Sequence, residues 1–129
     1  LFVADESEKH YVAYGGSGGY AGRALGAGVI HGDPEGIALV RCGEDDGYWI
    51  VTDQQDDVSF FRVFDRASLA YLGTFRGRRT ANTDGVTFEM GPVPGFPVGV
   101  LYAVHDDQAL SAFDWGEAAR ALRLAPLCR

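Results

Sequence analysis

The feature that most constrains this chain is a plan repeated at about fifty residues. Three times a short apolar run ends in an acid: Leu1-Phe2-Val3-Ala4-Asp5, Tyr48-Trp49-Ile50-Val51-Thr52-Asp53 and Val100-Leu101-Tyr102-Ala103-Val104-His105-Asp106. The acids Asp5, Asp53 and Asp106 stand 48 and 53 residues apart. A few polar residues follow each acid, and then a second run, at 10–14, 58–64 and 109–113. Run, polar turn and second run spell a β-hairpin. A second element repeats ahead of the hairpins, an acid followed by Gly and a short strand: Glu35-Gly36-Ile37-Ala38-Leu39-Val40 and Asp84-Gly85-Val86-Thr87-Phe88, the two acids 49 residues apart. With a further strand at 69–75, the predicted unit is four strands in about fifty residues, the period of a propeller blade.

The predicted class is therefore all-β, made of propeller blades of four antiparallel strands, with a short C-terminal helix. The middle unit is complete, with strands at 35–40, 48–53, 59–66 and 69–75. The first lacks its inner strand. The third runs into Asp114-Trp115-Gly116-Glu117-Ala118-Ala119-Arg120-Ala121-Leu122, where Asp114 and Glu117 make a capping-box-like helix start. Trp115, Ala118, Ala119 and Leu122 share one helical face, expected to pack on the last unit. About two and a half blades do not close a ring, because propellers need roughly 4–8. Further blades are implied, from the same parent chain or from other copies.

Composition limits the partners. Lys and Arg number 11 against 18 Asp and Glu, a net charge of −7. That balance argues against a nucleic-acid backbone or an anionic membrane surface as the main partner. A hydrophobic share of 47% with 22% charged residues over 129 residues suits one globular domain, and no run of ~18 apolar residues is present to span a bilayer. The opening Leu1-Phe2-Val3-Ala4 has neither an initiator Met nor a basic n-region, so it reads as the interior or mature start of a protein, not as a signal peptide. Cys42 and Cys128 are too few for a disulfide scaffold. Pairing and two separate thiols both remain open.

Several local motifs are weaker than they look. Gly15-Gly16-Ser17-Gly18-Gly19 satisfies G-x-S-x-G, and Gly16-x-Gly18-x-x-Ala21 resembles a dinucleotide fingerprint. Both need a strand–helix context that a β-repetitive chain does not offer, so an inter-strand loop is expected. Arg76, Arg78 and Arg79 suit a solvated loop more readily than a phosphate clamp. His10, His31 and His105 are scattered and read as local hydrogen-bonders.

The acids carry more. Glu6, Asp33, Glu35, Gln54, Asp84 and Asp106 fall at strand starts or hairpin tips. Successive blades of a propeller would bring such positions together at one end of the central channel. Converging carboxylates repel, and a divalent cation relieves that repulsion; all-oxygen ligands on loops suit Ca²⁺. The alternative, that the repeated acids are only turn residues, stands beside it.

These residues also resemble a known family. The stretches at 1–8, Asp33-Pro34-Glu35-Gly36, Gly47-Tyr48-Trp49-Ile50-Val51-Thr52-Asp53-Gln54, Asn82-Thr83-Asp84-Gly85-Val86, Phe96-Pro97-Val98-Gly99, Tyr102-Ala103-Val104-His105-Asp106 and Trp115 resemble, in order and spacing, the β-propeller (alkaline) phytases. The resemblance implies that residues 1–129 form the C-terminal part of such a domain, about two and a half blades of a six-bladed propeller. It implies calcium-dependent hydrolysis of phytate (inositol hexakisphosphate) phosphomonoesters by metal-activated water, in a secreted or periplasmic protein. By motif, Glu6 matches a glutamate at the phosphate and calcium cluster and is the candidate group steering the water. Asp33, Glu35, Gln54 and Asp84 match calcium ligands, and Asp106 matches a family aspartate of unassigned role. The family's phosphate-gripping basic residues lie largely in the N-terminal blades, and Arg76, Arg78 and Arg79 fall on none of its phosphate motifs. A non-catalytic calcium-binding or interaction segment is the competing expectation.

Overall fold

The computed structural model describes residues 1–126. It contains ten strands and one helix, arranged as three antiparallel meanders in chain order. The first sheet holds β1 (Phe2–Asp5), β2 (His10–Tyr14) and β3 (Tyr20–Leu25). The middle sheet holds β4 (Asp33–Arg41), β5 (Gly47–Gln54), β6 (Ser59–Asp65) and β7 (Tyr71–Arg76). The last holds β8 (Val86–Met90), β9 (Gly99–His105) and β10 (Ala109–Asp114), followed by helix α1 (Trp115–Ala121). The predicted hairpins and the four-stranded middle unit are present, and among the described residues no sheet closes on itself. β3 was absent from the sequence reading. Its Tyr20-Ala21-Gly22-Arg23 segment is exposed and only Leu25 is buried, so no apolar alternation announces it.

The middle sheet is the central layer. Along β5 and β6, Tyr48, Ile50, Phe61 and Val63 face one core, shared with Leu101, Ala103 and Trp115 of the last unit. Val51 and Phe64 face a second core, shared with Tyr11, Leu25 and Ile30 of the first. Successive strand residues point to opposite faces, so a strand covered on both sides must be apolar almost throughout. That is why β5 reads as a continuous apolar run. Rings knit the layers: Phe61 lies 5.3 Å from Phe75 and 5.0 Å from Phe113, and Phe2 packs edge-on against Trp49 at 5.0 Å.

Asp114 caps α1 as expected, its Oδ1 accepting the Glu117 amide at 3.2 Å. The helix reaches further than the last unit. Trp115 lies 5.6 Å from Tyr48 of β5 as well as 5.9 Å from Phe88 of β8, and Gly73 of β7 leaves room for Leu122, whose Cδ2 sits 2.7 Å from where a Cβ would stand. α1 thus wedges between the last two sheets. Cys42 packs against the first of the two cores, and Cys128 lies outside the described residues. Among the described residues no helix is long and apolar enough to cross a membrane.

Candidate functional site

The site grows from the entry to β4. Gly32 passes so close to β5 that a Cβ there would fall 1.8 Å from the Gln54 carbonyl oxygen. The fully buried Asp53 carboxylate holds this entry. Its Oδ1 accepts the amides of Gly32 at 2.7 Å and His31 at 3.3 Å, and its Oδ2 accepts the Arg62 guanidinium. Asp33 consequently starts β4 directly opposite Gln54, with Pro34 opposite Asp53. The ladder then shifts register between Pro34 and Ile37. Such an irregularity re-aims side chains, here around Glu35 and Gly36.

Gly36 is where the three sheets meet. A Cβ on it would lie 2.8 Å from the Val86 amide nitrogen and 2.9 Å from Val86 Cγ2. Its lack of a side chain therefore lets the start of β8 rest against β4, bringing Asp84 beside Glu35. From the other side, the buried Tyr11 hydroxyl of β2 donates to the Gly36 carbonyl at 3.0 Å. Thr83, next to Asp84, is fixed in turn: its Oγ1 donates to the Val104 carbonyl at 2.8 Å and its amide to Ser59 Oγ at 3.2 Å.

The electrostatics follow from this convergence. The Glu35 carboxyl is held above its ordinary value, first by burial and then by the charges of Asp84, Glu6 and Asp33. Four carboxylates thus share one field although they come from the turn after β1, the start of β4 and the approach to β8. Burial also pushes the Tyr11 hydroxyl well above the usual tyrosine range, with Glu35 and Asp53 adding to the effect, so it stays a neutral donor. Lys9, in the turn before β2, pairs its Nζ with Asp33 Oδ1 at 2.5 Å.

Glu6, Asp33 and Asp84 therefore all act electrostatically on Glu35, and Gln54 adjoins Asp33 through the backbone ladder. Asp106 stands apart from the charges acting on Glu35. It accepts the Asn82 carboxamide and lies 3.5 Å from His105 Nδ1, tying the β9–β10 turn to the loop before β8. Arg76 closes β7, at the edge of the middle sheet opposite β4, and lines an open groove of about 310 Å³ with Phe75, Phe113 and Glu117. The 15–19 segment is a tight hairpin turn, closed by the Gly15 amide on the Gly19 carbonyl at 2.8 Å and followed by a strand. It lacks the helix that a nucleophile elbow or a dinucleotide site requires.

Two residues of the site escaped the sequence reading. Lys9 is separated from Asp33 by 24 positions, and no motif links them. Tyr11 stood in the sequence only as part of the second run at 10–14. Among the described residues no three His, Cys, Asp or Glu side chains are already drawn together as ligands of a metal ion. The charges of Glu6, Asp33 and Asp84 reach Glu35 and raise its proton affinity. As a donor set, oxygen only, on turns and strand starts, the four carboxylates fit a hard divalent cation of loose geometry better than a transition metal. The chain matches no protein-family model and no curated protein.

Proposed function

We propose that Glu6, Asp33, Glu35 and Asp84, with Gln54 beside them, hold calcium, and that the chain contributes this acidic side of a site hydrolysing phosphomonoesters of phytate. The observation that carries the reading is the raised proton affinity of Glu35, caused by burial and by carboxylates from three separate segments. Such an arrangement costs stability when empty of counter-charge, and a divalent cation removes that cost. The resemblance of the acid-bearing motifs to β-propeller phytases supports the same conclusion, and the three successive antiparallel meanders are what consecutive blades of such a propeller would require. Blades supplied by the rest of a parent chain or by other copies would close the ring. Export to a secreted or periplasmic location belongs to the same proposal, since loose calcium sites fill at the higher calcium levels found outside cells.

Bound calcium supplies positive charge for phosphate oxygens and acidifies a water. The chain's own groups do the rest. Glu6 accepts the proton of the water that attacks phosphorus in line, the P–O bond to the inositol breaks, and the inositol oxygen leaves with a proton from solvent. Tyr11 holds the Gly36 carbonyl and so keeps Glu35 and Asp84 in register. The deciding experiment is phosphate release from phytate with calcium and with chelator. Calcium-dependent release is expected, and equal release in chelator rules the reading out.

A second reading, a calcium-binding segment without catalysis, has one observation in its favour. Arg76 lines the groove with Phe75, Phe113 and Glu117, and no arginine is among the charges acting on Glu35. Calcium binding by the complete protein without any phytate hydrolysis would establish it.

A further inference from the structure

Lys9 is set where an acidic cluster meets its own cation. It closes the β1–β2 turn in the left-handed region, at φ 56°, a conformation that a non-Gly residue keeps only when its surroundings impose it. The turn is pinned below it, since Asp5 Oδ1 accepts the Ser7 amide, the Ser7 hydroxyl and the Glu8 amide at 2.7 to 3.1 Å. Held this way, the lysine reaches across to Asp33 on the neighbouring sheet. The two side chains remain 40% and 49% exposed. An ion pair so open to water is weak, and a divalent ion drawing on several carboxylates at once outcompetes a single ammonium.

We propose that Lys9 is the built-in counter-cation of the cluster. It holds Asp33 in the metal-free chain, competes with calcium for that carboxylate, and once displaced offers its ammonium to a phosphate group at the same place. The proposal rests on the calcium reading above and adds to it a cation supplied by this chain. Lysine suits both tasks, because its ammonium is a compact point charge on a flexible stem that can leave one oxyanion for another.

The test is calorimetric titration of calcium into the full chain and its K9M, K9R and D33N variants, with the fold checked by circular dichroism. K9M is expected to bind calcium about two- to fivefold more tightly, the worth of a half-exposed ion pair removed from the competition. K9R, which keeps the pair, is expected to bind as the parent does. In saturating calcium, K9M is expected to bind inorganic phosphate several-fold more weakly. Unchanged or weaker calcium binding by K9M, or by K9Q should K9M misfold, overturns the competition. Unchanged phosphate binding overturns the second role. D33N distinguishes the two levels: if it binds calcium as tightly as the parent, the calcium reading itself falls, whatever Lys9 does.

Discussion

The Tyr11 hydroxyl donates to the carbonyl oxygen of Gly36 at 3.0 Å, joining the second strand of the first sheet to the first strand of the middle one. The bond sits in the core between the two sheets, with Tyr11 1% exposed. It lies one residue from Glu35 and on the glycine against which β8 rests. One hydrogen bond therefore anchors the place where all three sheets bring their acids together.

Tyr11→Phe removes the donor and leaves the Gly36 carbonyl without it. A loss of about 1 kcal/mol is expected, the usual net value of one hydrogen bond. Thermal unfolding should show a drop of a few degrees. Because the ring and its packing remain, a larger loss of calcium affinity than of stability would indicate that this bond serves the site more than the core.

Gly36→Ala places a methyl group 2.8 Å from the Val86 amide nitrogen. Backbone must move, and the movement separates Asp84 from Glu35. Calcium affinity is expected to fall about tenfold, as for other changes that misplace ligands without removing them. Titration calorimetry measures it. An unchanged affinity would mean that Asp84 does not need its place beside Glu35.

Glu35→Gln acts in opposite directions with and without calcium. The folded-state proton affinity of Glu35 is raised, so protonation favours the fold. Its contribution is present below the unfolded carboxylate value and is lost as pH rises through the raised one. In chelator at pH 7 the variant is therefore expected to melt higher than the parent, and the gap to close as the pH falls into the carboxylate range. In calcium the order reverses, because a ligand has been lost. Melting curves at two pH values, with and without chelator, check both signs.

Asp53→Asn leaves the Arg62 guanidinium, whose side chain is 13% exposed, without its charge partner. Removing one member of a buried pair costs about 3 kcal/mol or more. It also weakens the hold on the His31 and Gly32 amides, which set the entry to β4. Urea denaturation should show the loss of stability. Calcium titration should show a smaller parallel loss, since Asp33 follows Gly32 directly.

Much of the secondary structure was legible in the chain. The acid-terminated apolar runs announced β1, β5 and β9, the turns announced their partner strands, and Asp114 with Glu117 announced α1. These signals are local: a strand's period, a turn's acid and a cap's carboxylate act within a few residues. β3 was hidden because it is almost wholly exposed, and the double role of α1 was hidden because Trp115 meets Tyr48 across 67 positions.

The candidate ligands were legible as residue types at recurring positions, but not as a group. The sequence by itself determined that Glu6, Asp33, Glu35 and Asp84 would stand on turns and strand starts. Only the tertiary structure decided that Asp84 would press on Glu35, that Lys9 would answer Asp33, that Tyr11 would hold the junction, and that Asp106 would turn to Asn82 and His105 instead. The physical reason is that charges act through space. Their separations depend on how closely the sheets approach, and that approach depends on the missing side chain at Gly36 and the bulge beside it.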